Sequence, residues 1–155
     1  AMTPPHKQDR VVTAGPDRLE MVQLAIAGDP HFDVSDVEVQ RGGVSYTIET
    51  VRHLLRERPG THLTVLIGMD NLADFGTWRD PAGILELATV AVMTRPGYVP
   101  GATGAAFLPQ MNLCEVPHIG IAARDIRQRV AAGKSIRYLV PDGVEAFIHE
   151  RGLYR

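Results

Sequence analysis

Residues 62–78, HLTVLIGMDNLADFGTW, run apolar and then stop at a glycine and an aspartate. Gly68 lets a ligand approach the backbone, Asp70 offers a carboxylate to a ribose hydroxyl, and Trp78 follows within reach. A second set of candidates lies in IAARDIRQR, where Arg124 and Arg127 stand three apart on one helical face within its first two turns. Helix amino termini bind phosphate through free N–H groups and the dipole, and arginines beside them add bidentate charge. Arg95 before a Pro-Gly, His118 just ahead of the arginine helix, and His6-Lys7 in the opening loop are further phosphate donors. Each has an ordinary structural alternative. The glycine makes a turn, the aspartate caps a helix, the tryptophan fills a core, and the cations sit on solvated faces paired with acids such as Asp125.

The elements that must position these residues follow from periodicity. Residues 63–67 have the length and β-branched content of a strand buried on both faces, and in open α/β sheets ligands sit outside the carboxyl ends of strands. Ahead of it, PDRLEMVQLAIAG predicts a helix from Pro16 to Gly28 that presents Leu19, Val22 and Ile26, flanked by Leu24. Phe32, Val34, Val37 and Val39 predict a strand whose alternation slips at Ser35-Asp36, ended by Arg41-Gly42-Gly43. Ser45-Tyr46-Thr47 supply caps for a helix carrying Ile48, Val51, Leu54 and Leu55, which Pro59-Gly60 stops. Strand, helix and strand make a right-handed βαβ unit.

Beyond Asp70 the pattern gives a helical turn through Leu72 and Phe75, a helix over 81–87 and a third strand over 88–94. A Gly/Ala/Pro-rich loop then runs to Pro109 at the edge of a site. A short fourth strand over 113–116, an arginine-rich helix over 121–133, a connecting turn over 135–140 and an amphipathic helix over 141–151 complete the chain. There is no internal repeat. Strands alternating with helices make the class α/β, a mainly parallel sheet with helices on both faces.

With 155 residues, 45% of them hydrophobic and 22% charged, the chain suits one domain with one core, residues 1–155. A net charge of −2 gives no basic footprint, so neither nucleic acid nor an anionic membrane surface is expected as a partner. No run approaches the roughly 18 apolar residues of a membrane span. The single cysteine, Cys114, rules out an internal disulfide and fits a reducing, cytoplasmic compartment. Six histidines in neither HExxH nor CxxC-like spacing predict no protein-held metal, so a metal would arrive with phosphates.

Taken together, PPHK at 4–7, SYTIET at 45–50, LIGMDNL at 66–72, Trp78, TRPGY at 94–98, DIR at 125–127 and YLVPDGVEAFI at 138–148 followed by GLY resemble the bacterial nicotinate-nucleotide adenylyltransferases. The resemblance implies a Rossmann-like nucleotidyltransferase. Such an enzyme joins nicotinate mononucleotide to ATP with Mg²⁺, giving deamido-NAD and pyrophosphate without a covalent enzyme intermediate. Carried onto this sequence, Gly68 and Asp70 hold the adenylate ribose, Trp78 stacks on the pyridine ring, and Tyr46 and Thr47 line the mononucleotide side. Arg127 faces the ATP phosphates, Pro5, His6 and Lys7 belong to a loop closing over nicotinate, and Arg95 lies on the nucleotide rim.

Two departures bear on these expectations. The HxGH histidine pair that contacts the transferring phosphates in the family is absent from this sequence, and Ala122-Ala123-Arg124 stands where the family carries Ser-Ser-Thr or Ser-Ala-Thr. Arg124 then replaces hydroxyl contacts with charge. The leading expectation is an adenylyltransferase whose first strand and HxGH loop lie outside the chain, inactive by itself and, with an open sheet edge, prone to form homo-oligomers. The alternatives are a non-catalytic nucleotide-binding module of the same fold, and an adenylyltransferase for another acceptor such as phosphopantetheine. PPHK, SYT and Trp78 argue against the last.

Overall fold

A computed structural model describes residues 13–94 and 101–155. In chain order the elements are α1 (Gly15–Ile26), α2 (Val37–Arg41), α3 (Thr47–Glu57), β1 (Thr64–Gly68), α4 (Met69–Asp74) and α5 (Pro81–Leu87). They continue with β2 (Thr89–Met93), α6 (Ala102–Ala105), β3 (Asn112–Cys114), α7 (Ala123–Ala131) and α8 (Asp142–Glu150). The chain divides into two compact units, residues 45–118 and residues 1–44 with 119–155.

The unit of residues 45–118 holds the sheet. Its strands lie in the order β1, β2, β3, all parallel, with Leu66 beside Ala91, Ile67 beside Val92 and Gly68 beside Met93. The central strand is the near-continuous apolar TVAVM, as a parallel strand between two neighbours requires. Ile67, Val90 and Val92 point into a core completed by Ile48 of α3, Met69 and Leu72 of α4, Phe75, Ile84 of α5 and Met111. Asp80 takes the N-cap of α5 through a bond from the Gly83 N–H to Oδ1 at 3.1 Å, with Pro81 following it.

The strand expected to be buried on both faces is buried on one. Ile67 is sealed, but Leu66 on the opposite face is 62% exposed. Among the described residues β1 is an edge strand and the apolar cluster lies on its Ile67 side, so alternation replaces the two-faced pattern. In place of the loop expected up to Pro109, the described residues hold α6 and a 3₁₀ turn over Leu108–Gln110, and Phe107 packs edge-on to Phe75 at 5.2 Å.

In the other unit α1 packs on α8 and α2. The core here is Ile126 and Val130 of α7, Ile136, and Val144 and Ile148 of α8, with Met21 and Leu24 of α1 against it. The expected buried face of α1 is therefore rotated: Met21 and Leu24 face the core and Val22 is 47% exposed. Gly143 of α8 lies beside Leu24, whose Cδ2 would make an ordinary contact, at 3.5 Å, with a β-carbon there.

The strand expected over Phe32 to Val39 does not form. Residues 32–36 are irregular, α2 begins at Val37, and Phe32 is 63% exposed. A strand needs a ladder, and among the described residues nothing pairs with this stretch, so local bonds decide. The Val34 N–H donates to the Asp33 carboxylate at 2.8 Å, and Gln40 donates to the Asp36 carboxylate at 2.6 Å across one helical turn. The slip in alternation at Ser35-Asp36 marks where this turn chemistry takes over. The parallel crossover that does form runs from β1 through α4 and α5 to β2.

Candidate functional site

β1 ends at Gly68 and α4 begins at the next residue, which brings Asp70 into the first helical turn at the carboxyl end of the sheet. The N-cap of α4 is Gly68 and no side chain caps it, so Asp70 is not there as a cap. Its carboxylate is exposed and accepts one bond, from the Asn71 N–H to Oδ1 at 3.0 Å. Four lone-pair positions on an ionised carboxylate leave room for ligand hydroxyls. The glycine has a second use that its sequence position did not reveal. A β-carbon at residue 68 would lie 2.6 Å from Asp70 Oδ1, so any side chain there displaces the carboxylate.

Trp78 follows the 3₁₀ turn Phe75–Thr77. It is half-buried against the core, its ring centroid 5.2 Å from that of the fully buried Phe75 at an interplanar angle of 45°. It thus combines an anchored edge with accessible surface, the property a stacking platform needs. Tyr46 is also half-buried on this core, at the N-cap position of α3, and Thr47 opens the helix. The expected side-chain cap at Ser45-Tyr46-Thr47 is not made: the cap position falls on Tyr46, whose side chain packs on the core, and Ser45 is buried.

Sequence reading passed over Glu49, Arg52, Arg79 and Asp80. Arg79 donates to Glu49 at 2.9 Å, Arg52 donates to Asp80 at 2.7 Å, and the Arg79 guanidinium lies over the Tyr46 ring with Cζ 4.6 Å from its centroid. The available signal was weak: an acid and a base three apart on one helix, and a base and an acid adjacent in a loop.

Arg124 and Arg127 belong to the other unit. α7 starts after Ala122, whose backbone is extended and which has no side chain to cap with, and buries Ile126 and Val130 while both arginines are exposed. Arg124 Nε stands 3.7 Å from Asp125 Oδ1, a loose pair with both side chains more than half exposed. Arg129, by contrast, is tied to the loop that follows its own helix, donating to the Ser135 carbonyl at 2.9 Å. His118 is exposed. Pro5, His6, Lys7 and Arg95 lie outside the described residues.

A cleft of about 390 Å³ opens between His62, Glu86, Gln110 and Asn112, at the amino ends of the strands. Ligands of parallel sheets sit at the opposite end, where Gly68 and Asp70 are, so this cleft is not counted in the site. Among the described residues no three His, Cys, Asp or Glu side chains converge as a metal cage, and no helix is long and apolar enough to cross a membrane.

Residues 2–131 match the cytidylyltransferase-like family, and the fold is accordingly that of an α/β, Rossmann-type nucleotidyltransferase. A solved structure of the same fold, Plasmodium falciparum nicotinic acid mononucleotide adenylyltransferase complexed with NaAD, superposes with a TM-score of 0.74 at 14% identity over 95% of this chain and 77% of that one. A protein of Thermomicrobium roseum named probable nicotinate-nucleotide adenylyltransferase is 46% identical over 157 residues, which cover 98% of this chain and 73% of the relative. One of Desulfitobacterium hafniense with the same name is 41% identical over 159 residues, 98% of this chain and 77% of the relative. The chain belongs to the nicotinate-nucleotide adenylyltransferase family, a class of nucleotidyltransferase enzymes.

Proposed function

We propose that this protein transfers the adenylyl group of ATP to nicotinate mononucleotide, giving deamido-NAD and pyrophosphate in the cytoplasmic synthesis of NAD, with residues 1–155 acting as one nucleotidyltransferase domain. The observation that carries the reading is the 46% identity to a relative of that name across 98% of the chain. The mononucleotide phosphate attacks the α-phosphate of ATP directly and pyrophosphate leaves. No protein nucleophile is needed, and the protein contributes alignment and charge. Adenylyl transfer from ATP uses a divalent cation, which we assign as Mg²⁺ entering with the nucleotide.

In this reading Gly68 and Asp70 hold the adenylate ribose, Trp78 carries the pyridine ring and Tyr46 and Thr47 line its side. Arg124 and Arg127 meet the ATP phosphates together with Arg95, and Pro5, His6 and Lys7 close over nicotinate. Asp70→Asn keeps the shape of the side chain and removes its charge. ATP affinity is expected to fall about tenfold, the worth of one charge-assisted hydrogen bond. Unchanged ATP affinity in isothermal titration would remove Asp70 from the site.

Arg124→Ala is expected to weaken ATP binding about fivefold at low salt, the order of an exposed charge near a helix amino terminus, with the difference shrinking as salt rises. Arg124→Thr, which restores a hydroxyl, should recover part of the loss. If Arg124 is a solvated side chain turned away from ATP, all three proteins will titrate alike.

The reading as a whole is tested by adding nicotinate mononucleotide and following the fluorescence of Trp78, the only tryptophan. Saturable quenching is the expected result, and no response at millimolar nucleotide would overturn it. The 155 residues by themselves are expected to release negligible pyrophosphate, and release near that of relatives carrying the HxGH pair would overturn that expectation. Without an HxGH pair in this sequence, turnover is expected to be slow relative to binding.

A further inference from the structure

Four charged side chains that the nucleotide assignments leave aside join α3 to the segment carrying Trp78. Glu49 and Arg52, three apart on α3, reach two consecutive residues: Arg79 Nη1 donates to Glu49 Oε1 at 2.9 Å, and Arg52 Nη2 donates to Asp80 Oδ2 at 2.7 Å. The order of charges is crossed, acid then base on the helix and base then acid on the loop. A slip of the loop by one residue would therefore set Asp80 against Glu49 and lose both bridges.

Each end is fixed further. The Arg79 guanidinium rests on the Tyr46 ring, 4.6 Å from its centroid, and Asp80 adopts a left-handed backbone with φ of 53° while its other oxygen caps α5 at the Gly83 N–H. A β-carbon at residue 83 would collide with that carboxylate, so the turn after Trp78 depends on a glycine there.

We propose that this crossed pair of bridges is a latch that sets the position of the Trp78 ring, and that Arg79 is a positioning residue for the pyridine nucleotide. The inference rests on the assignment of Trp78 to that nucleotide. The four side chains are between 32% and 58% exposed, so neither bridge is strong alone. Acting on adjacent residues, with the Arg79 guanidinium also resting on Tyr46, they restrict one short segment, and the restriction weakens with salt. The ATP side of the site is not touched by them.

The test uses the chain with Trp78 as its own reporter. In Arg79→Gln, acrylamide is expected to quench Trp78 more readily than in the wild type, and nicotinate mononucleotide affinity to fall about threefold to tenfold, with ATP affinity unchanged. Glu49→Gln, which breaks one bridge but leaves the arginine on Tyr46, should give a smaller loss in the same direction. Arg79→Lys should recover most of it. Raising salt should bring the wild type toward Arg79→Gln and move that variant less, since only the Arg52–Asp80 bridge remains in it. Equal acrylamide quenching in all four proteins overturns the latch. Altered quenching with unaltered mononucleotide affinity overturns the positioning role. No response of wild-type Trp78 to the mononucleotide overturns the placement of the acceptor at this ring, and this inference with it.

Discussion

Trp78→Ala is expected to weaken nicotinate mononucleotide binding by roughly 1–3 kcal/mol, about fivefold to 150-fold, while ATP affinity stays within twofold. Stacking of a flat heterocycle on an aromatic ring supplies that range, and Trp78 retains accessible surface for it. Its other role is structural. The ring packs on Phe75 and the core, so truncation also costs stability, and a general loss of structure would lower affinity for both nucleotides. The selectivity of the effect is therefore the diagnostic quantity. Trp78→Phe keeps a π-face and should restore most of the binding. Isothermal titration serves all three proteins, and an equal loss for ATP and mononucleotide in Trp78→Ala would assign the residue to the core alone.

Phe75→Ala is expected to destabilise the protein by about 3–5 kcal/mol, the range for removing a fully buried phenylalanine. For a chain of this size that lowers Tm by roughly 6–20 °C. Phe75 is completely inaccessible and stands between two other rings, Trp78 and Phe107, each with its centroid 5.2 Å away. Removing it therefore costs the transfer of its own surface, leaves a cavity and breaks two aromatic contacts. Phe75→Leu fills most of the volume and should cost less than half as much. It still deprives Trp78 of its ring neighbour, so mononucleotide affinity should fall in a protein that remains folded. Thermal unfolding gives the first quantity and titration the second. A Tm within 2 °C of wild type for Phe75→Ala would mean that the aromatic group is not the keystone of this core.

What the sequence determined by itself about this protein is what depends on near neighbours along the chain. Pro16-Asp17 opens α1, Pro59-Gly60 closes the helix before β1, Pro81 begins α5, and the apolar TVAVM is a strand. Each rests on a backbone preference or a period that a window of a dozen residues contains. The same holds for Gly68 and Asp70 at a strand's carboxyl end, and for Arg124 and Arg127 within the first two turns of one helix. Membership of a family was legible too, because many short segments keep one order and spacing.

The tertiary structure decided whatever depends on a distant partner. Val34 and Val39 have strand character, yet no described strand lies beside them, and bonds donated to the Asp33 and Asp36 carboxylates turn the chain into irregular structure and α2. Whether Leu66 would be covered depended on where the helices fall about β1, and which face of α1 is buried depended on α8, far along the chain, packing against Met21 and Leu24. The bridges from Glu49 and Arg52 to Arg79 and Asp80 span 30 and 28 residues, a separation across which no local period carries information. Charged side chains look alike in a sequence, since water satisfies any of them equally well. Only the fold, by bringing α3 against the turn after Trp78, singles out which four meet.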